Sequence, residues 1–361
     1  MTNKLKAGII GATGYVGQRF ITLLTDHPWF EIAALAASSR SANKTYEEAI
    51  ADRWRIDVAM PESVKNIKVI DSDDIETLAE EVDLVFCAVD MDKKAIIEME
   101  ERVARTETPL ISNNSANRNT PDVPMIIPEI NPHHTSLIEA QRKRLGTQRG
   151  FIVAKPNCSI QSYVPAITPL LDFGPELIMV STYQAISGAG KTFETWPEMI
   201  HNLIPYIGGE EEKSEKEPMK IWGEFATDHI KLATEPIISA QCYRVSVQDG
   251  HTASVSVKFR NKPSKEDILA RWADFKGVPQ ERNLPSAPQP FLTYFEEPDR
   301  PQAKLDAMVQ RGMGVAIGRL REDPIFDYKF ACLSHNTLRG AAGGGVLMAE
   351  LLVDQGYIEK K

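Results

Sequence analysis

The run Phe151-Ile152-Val153-Ala154-Lys155-Pro156-Asn157-Cys158-Ser159-Ile160-Gln161 puts a thiol where an apolar strand ends and a helical stretch begins. A cysteine at a helix N-terminus feels the positive end of the helix dipole and unpaired backbone N–H groups. Both lower its pKa and favour the thiolate that nucleophilic attack requires. The same N–H groups can stabilise an oxyanion on the attacked carbon. Pro165 and Pro169 lie inside the expected helix and bend its later turns, so the pKa argument needs only the first turn. Cys87, Cys242 and Cys332 sit within strand-like runs and read as buried structural thiols. His251, in Asp249-Gly250-His251-Thr252 between two strand-like runs, is placed in a turn that could project a near-neutral imidazole into a cleft. Taken alone, such a histidine is more often a solvated loop residue.

A second constellation lies near the start. Gly11-Ala12-Thr13-Gly14-Tyr15-Val16-Gly17 follows a short apolar run and opens an amphipathic stretch. Its GxxGxxG spacing departs from the GxGxxG dinucleotide fingerprint. It still meets the physical needs of a pyrophosphate site: a tight turn, close backbone approach and a helix N-terminus aimed at the ligand. Where an NAD site carries Asp or Glu for the ribose 2′-hydroxyl, at the end of the second strand, this chain has Ala37-Ser38-Ser39-Arg40-Ser41. Hydroxyls and a guanidinium suit a 2′-phosphate, so the expected cofactor is NADP.

The elements that must position these groups follow from hydrophobic periodicity. Apolar runs at Leu5–Ile10, Glu31–Ala37, Lys68–Ile70, Asp83–Val89 and Pro109–Ser112 alternate with helical stretches near Tyr15–Thr25, Asp74–Glu81 and Lys93–Arg105. That alternation predicts a doubly wound parallel sheet of the Rossmann type. After about Gly150 the strand period dominates, at Leu177–Ile186, Ile237–Val247, Ala253–Phe259, Gly314–Leu320 and Asp327–Leu333, which predicts a second α+β domain on a largely antiparallel sheet. Ser264 and Asp267 stand at capping-box spacing at the head of a helix over Ser264–Phe275. Gly277–Arg300, with five prolines, reads as an extended surface loop. A last helix, Ala342–Gln355, carries Gly343–Gly345 and is expected to pack closely against a backbone or ligand. The domain division is 1–156 plus 337–361 for the nucleotide-binding unit and 157–336 for the catalytic and dimerisation unit.

Bulk properties narrow the partners. The 361 residues include 50 acidic against 41 basic side chains, a net charge of −9, without a basic block for a phosphodiester backbone or an anionic bilayer. Four scattered cysteines without CxxC or Cys/His spacing suggest neither a disulfide framework nor a metal site. With no signal-peptide pattern or membrane-length apolar run, the expectation is a soluble cytoplasmic protein.

Several ordered motifs together resemble the aspartate-semialdehyde dehydrogenase family, in its archaeal and fungal branch. They are Gly11–Gly17, Pro156-Asn157-Cys158-Ser159, Ser181–Gly190, Val123–Asn131, the loop around Gly209–Lys213, and Asn336-Thr337-Leu338-Arg339-Gly340-Ala341-Ala342. The resemblance implies an NADP-dependent enzyme of the route to lysine, threonine, methionine and isoleucine, in which Cys158 takes the acyl group of aspartyl phosphate and His251 shuttles protons. It further implies that Gln184 holds the acyl group and Asn157 lines the substrate site. Arg244 clamps the α-carboxylate, Arg118 and Lys213 contact phosphate, and Glu210 binds the ammonium. Glu211 and Glu212 follow directly, so that last assignment stays open among the three. Asn114, Ser187, Gly188 and Asn336 approach the nicotinamide or its ribose, and the assembly is a homodimer or homotetramer. Alternatives are a malonyl-CoA reductase-like enzyme with the same Cys158 and His251, an N-acetylglutamyl-phosphate reductase, whose usual glycine before the cysteine is replaced here by Asn157, and a non-enzymatic NADP-binding regulator.

Overall fold

A computed structural model of the chain describes residues 4–361. Six parallel strands, β1 (Leu5–Ile10), β2 (Phe30–Ala37), β3 (Ile70–Asp71), β4 (Leu84–Cys87), β5 (Leu110–Ser112) and β6 (Ile152–Ala154), form the first sheet. Their order is β3-β2-β1-β4-β5-β6. This is the doubly wound arrangement expected, with its switch point between β1 and β4, where ligands of such sheets bind beyond the strands' carboxyl ends. β4 is buried along its whole length and β1 along its last four residues, as strands covered by helices on both faces must be. Helices Tyr15–Leu24, Ile75–Glu81 and Lys93–Arg105 lie where periodicity places them.

The second sheet has seven strands: β7 (Pro175–Gln184), β8 (Leu203–Ile204), β11 (Ile237–Val245), β12 (His251–Phe259), β13 (Leu292–Phe295), β14 (Val315–Glu322) and β15 (Tyr328–Ser334). A separate hairpin, β9 (Glu224–Ala226) and β10 (His229–Lys231), stands beside it. The sheet order is β13-β14-β15-β12-β7-β11-β8. It is mostly antiparallel, but β7 pairs with β11 and β13 with β14 in parallel. The reason is the connection: the chain between β7 and β11 is a long crossover through the helix Glu210–Ile221, which only a parallel neighbour requires.

Two expectations change. Gly277–Arg300 is not simply a surface loop, because it holds a helical turn, Val278–Glu281, and β13. Leu284, Ala287 and Phe291 in it are buried, and their apolar side chains pull the segment onto the cores. The helix expected after Cys158 is instead three short pieces, Ser159–Gln161, Val164–Ile167 and Thr168–Phe173. Pro165 and Pro169 occupy the first turns of the second and third, where proline's missing N–H costs nothing, so each proline restarts the helix rather than bending it.

The capping box Ser264/Asp267 is present at the head of Lys265–Asp274. Helix Gly343–Asp354 is buried on every side through Leu352 and belongs to the core of the first domain, together with Phe20 and Phe86. Gly345 lies against the Phe20 ring and Gly344 against the Lys155 side chain, the close approach its glycines suggested.

Candidate active site

The glycine turn occupies the switch point. Gly11 has φ +84°, and any side chain there would collide with the Ala88 carbonyl. Gly17 faces Ala12 and the Gly11 carbonyl with no room for a Cβ, which lets helix Tyr15–Leu24 start directly on the turn. That helix has neither a side-chain cap nor an acidic residue in its first turn, so its N-terminal N–H groups and positive dipole end stay available to an anion. A cavity of about 210 Å³ lined by Gly11, Thr13, Gly14, Ser38 and Val89 adjoins it. Tyr15 and Val16, the first helical residues, are half-buried beside the turn. Ser38, Ser39 and Arg40 are exposed after β2, whereas Ser41 is buried in the turn they form.

The second domain brings four elements to one edge. β7 and β11 run parallel with Gln184 opposite Arg244 at their carboxyl ends. β12 runs antiparallel to β7, so its first residue, His251, arrives at the same edge. Cys158 enters from the first sheet, four residues past the end of β6. Its Sγ lies 3.4 Å from His251 Nε2. The two residues are 93 apart in sequence, yet they form one pair.

His251 is fully buried rather than solvated in a turn. Its Nδ1 accepts the Ala185 backbone N–H at 3.1 Å, so the neutral ring carries its proton on Nε2, pointing at sulfur. Burial, and then Arg244, push its pKa down to about 3. Cys158 is partly exposed, but burial, and then the Glu210 carboxylate, push its thiol up to about 11 against the pull of Arg118, Lys155 and Arg244. The expectation of a lowered thiol and a near-neutral imidazole is therefore corrected. The three-residue turn behind Cys158 is too short for a helix dipole to offset burial and a nearby carboxylate, and at rest both partners are neutral.

Around the pair the polar side chains are tightly tied. Arg244 is buried and donates from Nη1 to the Ala185 carbonyl at 2.7 Å. Glu210, the first residue of its helix, is buried and accepts from Asn157 Nδ2 at 2.9 Å, Lys213 Nζ at 2.7 Å and Gln184 Nε2 at 3.3 Å. Burial opposes ionisation there, but Lys213 and these hydrogen bonds hold the carboxyl below its usual range. Glu211 instead accepts the Cys242 N–H and Glu212 is exposed, so of the three acids it is Glu210 that meets Asn157 and Gln184. Arg118 is buried, donating to Glu217 Oε1 at 2.9 Å and the Lys155 carbonyl at 2.8 Å.

Asn336 donates to Ser187 Oγ and accepts the Gly250 N–H, each at 2.8 Å, and so pins the turn that carries His251. A Cβ on Gly188 would sit 3.0 Å from Arg244 Nη1 and 3.1 Å from His251 Nε2. Asn114 is the outlier, because its amide is spent on the Val89 N–H, Cys87 Sγ and the buried Glu100 carboxylate.

Sequence reading missed Lys155, Glu217 and the role of Gly340. Lys155 is buried, and its amine donates to none of the described residues. Burial first, and then Arg339, push it well below the usual ammonium range. Glu217 accepts the Asn157 N–H at 2.6 Å and shares a helix face with Glu210, seven residues earlier, a spacing visible in the sequence. A Cβ on Gly340 would lie 2.8 Å from that of Cys158, so the segment after β15 forms the wall behind the thiol.

Gly188→Ala is therefore expected to crowd Arg244 and His251, lowering kcat/KM by about 10- to 100-fold with little change in melting temperature. Steady-state kinetics beside thermal denaturation check it.

A dinucleotide-binding fold joined to a thiol–imidazole pair, with a buried guanidinium beside it, is the architecture of a nucleotide-dependent dehydrogenase. Residues 6–138 match the model of the semialdehyde dehydrogenase NAD binding domain, and residues 167–339 that of the semialdehyde dehydrogenase dimerisation domain. The aspartate-semialdehyde dehydrogenases of Saccharomyces cerevisiae and Archaeoglobus fulgidus are 43% and 40% identical, over 99% and 98% of this chain and all of theirs. The chain belongs to the aspartate-semialdehyde dehydrogenase family. The crystal structure of the Candida albicans enzyme with NADP superposes with a TM-score of 0.88 at 37% identity, covering 99% of this chain and all of that one. Among the described residues no helix could cross a membrane and no acidic, histidine or cysteine cluster could hold a metal.

Proposed function

We propose that the protein catalyses the NADP-dependent reductive dephosphorylation of L-4-aspartyl phosphate to L-aspartate 4-semialdehyde through an acyl thioester on Cys158. The observation that carries this reading is the Cys158–His251 pair at 3.4 Å with a buried guanidinium and a buried carboxylate beside it. An α-amino acid substrate presents the complement. Arg244 takes the α-carboxylate in a forked pair and Glu210 the ammonium. Arg118 and Lys213 receive the phosphate, while Gln184 and Asn157 hold the acyl group in line. A malonyl-CoA substrate has a carboxylate but no ammonium, and would leave Glu210 with its resident partners alone, Lys213, Asn157 and Gln184.

The cofactor residues fit NADP. Gly11, Thr13, Gly14 and Gly17 shape the pyrophosphate turn, Tyr15 and Val16 open its helix, and Ser38, Ser39 and Arg40 suit a 2′-phosphate. Ser187, Gly188 and Asn336 border the nicotinamide end; Asn114 acts there by holding the Val89 backbone. A bound NADPH supplies the hydride.

The chain's own residues do the rest. The thiol is activated by its substrate: an ammonium docked on Glu210 neutralises the charge that most opposes the thiolate after burial itself. The thiol proton passes to a phosphate oxygen as sulfur attacks the carbonyl, the carbon–oxygen bond to phosphate breaks, and phosphate leaves. The His251 Nε2–H then stabilises whichever atom carries negative charge, sulfur before attack and after collapse, oxygen between. Glu210→Gln is accordingly expected to move the pH midpoint of Cys158 alkylation downward, because the removed carboxylate raises the thiol pKa, while KM for the aldehyde rises. Iodoacetamide rates across pH, with and without the substitution, check the sign.

The second sheet leaves Met179, Tyr183 and Ile237 exposed, with Tyr183 and Tyr243 stacked 5.6 Å apart. Such an apolar face favours a homodimer formed through it, with a homotetramer as its doubled form. Units 1–156 plus 337–361 and 157–336 divide the work, and the cytoplasm is the compartment that suits it. The deciding assay pairs phosphate-dependent NADP reduction by aspartate semialdehyde with NADPH oxidation by malonyl-CoA. Turnover is expected with the first alone; activity only with the second overturns the reading.

A further inference from the structure

Behind the turn that carries His251 lies a cavity of about 630 Å³, which shares Asp57, Gln248 and Asp249 with a neighbouring cavity lined by Tyr15. It shares no lining residue with the glycine-turn cavity, and neither Cys158, His251, Arg244 nor Gln184 borders it. Four charged side chains line it, Arg19, Lys304, Asp57 and Asp249, and none forms an ion pair among the described residues. Arg19 Nε and Asp249 Oδ1 are buried without a hydrogen-bond partner, a costly state that asks for an explanation.

His335 adds a third polar group to the same wall. It is buried, and its Nδ1 accepts the Thr337 and Leu338 N–H groups at 3.3 Å, so the neutral ring carries its proton on Nε2, which donates to none of the described residues. Donors of one kind, Arg19 and His335, thus stand beside carboxylates of Asp249 and Asp57. Ser246 and Gln248 add two neutral polar groups, and the remaining wall is apolar, from Ala303 and Ala307 to the exposed Val58 and Met308.

We propose that this cavity is an effector site for a small zwitterion with an apolar body, its simplest form an aliphatic or thioether α-amino acid. Its carboxylate meets Arg19 and the His335 Nε2–H, its ammonium Asp249 and Asp57, and its side chain covers Val58 and Met308. The lining connects directly to the catalytic turn. Asp249 precedes Gly250, whose φ is +97° and where a Cβ would meet Ala303 and Ala307. His335 precedes Asn336, which holds the Gly250 N–H at 2.8 Å. Occupancy therefore bears on where His251 points. Binding does not depend on the reaction proposed above; the effect on turnover rests on it.

The test titrates the full-length protein, saturated with NADPH, with L-methionine, L-leucine and L-valine by calorimetry. 4-Methylthiobutanoate, which lacks the amine, and methionine methyl ester, which lacks the carboxylate, serve beside them. Saturable binding of at least one amino acid is expected, at least tenfold weaker for both analogues and for Arg19→Gln, and weakened by Lys304→Glu, with basal turnover of both variants intact. The bound amino acid should change kcat for the aldehyde, and the aldehyde should not displace it. The proposal is overturned if none of the three amino acids binds, if Arg19→Gln binds as the unmodified protein does, or if aspartate semialdehyde competes the ligand away. Binding that meets every criterion but leaves kcat unchanged removes the effector role alone.

Discussion

Cys158→Ala is expected to lose turnover by roughly 10⁴-fold or more while binding NADPH as before. The Cys158 side chain stands against the Gly340 wall, with His251 Nε2 3.4 Å from its sulfur to stabilise it. Removing it takes away the bond-forming atom itself. The packing survives, because Gly340 meets the Cys158 Cβ, which alanine keeps. The glycine turn lies in the other domain and does not feel the change. Fluorescence titration with NADPH beside the turnover assay separates loss of chemistry from loss of binding; residual turnover within tenfold of the unmodified protein would exclude Cys158 as nucleophile.

Arg339→Met should cost the fold about 3–5 kcal/mol. Arg339 and Glu129 form a two-pronged pair at 2.6 and 2.5 Å, both side chains almost wholly buried, with Phe291 stacked 4.6 Å from the guanidinium carbon. Removing the cation alone leaves a carboxylate buried without a counter-charge, which is worse than losing the attraction. The double variant Arg339→Met with Glu129→Leu is therefore expected to recover part of the loss, as urea denaturation would report. Because Arg339 precedes Gly340, activity should fall together with stability.

The strands of the first domain and their doubly wound class were readable because each buried parallel strand is a short apolar run and each helix has a stripe. Cys158, the nucleophile proposed here, was singled out by its setting at the end of a strand, and the structure places it beside His251. Its ionisation was not readable, because the local rule sees a helix start and misses a carboxylate that the crossover helix brings in from residue 210. The meeting of Gln184, Arg244 and His251 was hidden for a similar reason: it depends on the register of β7, β11 and β12, which no stretch of sequence states. Lys155 escaped notice because a lysine after a strand usually reaches solvent, and here the backbone at Gly344 closes against its side chain.

The acyl-thioester claim is tested most directly by mixing the protein with aspartate semialdehyde and NADP in the absence of phosphate, then measuring released NADPH and the intact mass. The account predicts one rapid equivalent of NADPH per chain and an aspartyl group on the peptide bearing Cys158, discharged when phosphate is added. Absence of that burst, or the adduct on any other residue, would contradict it.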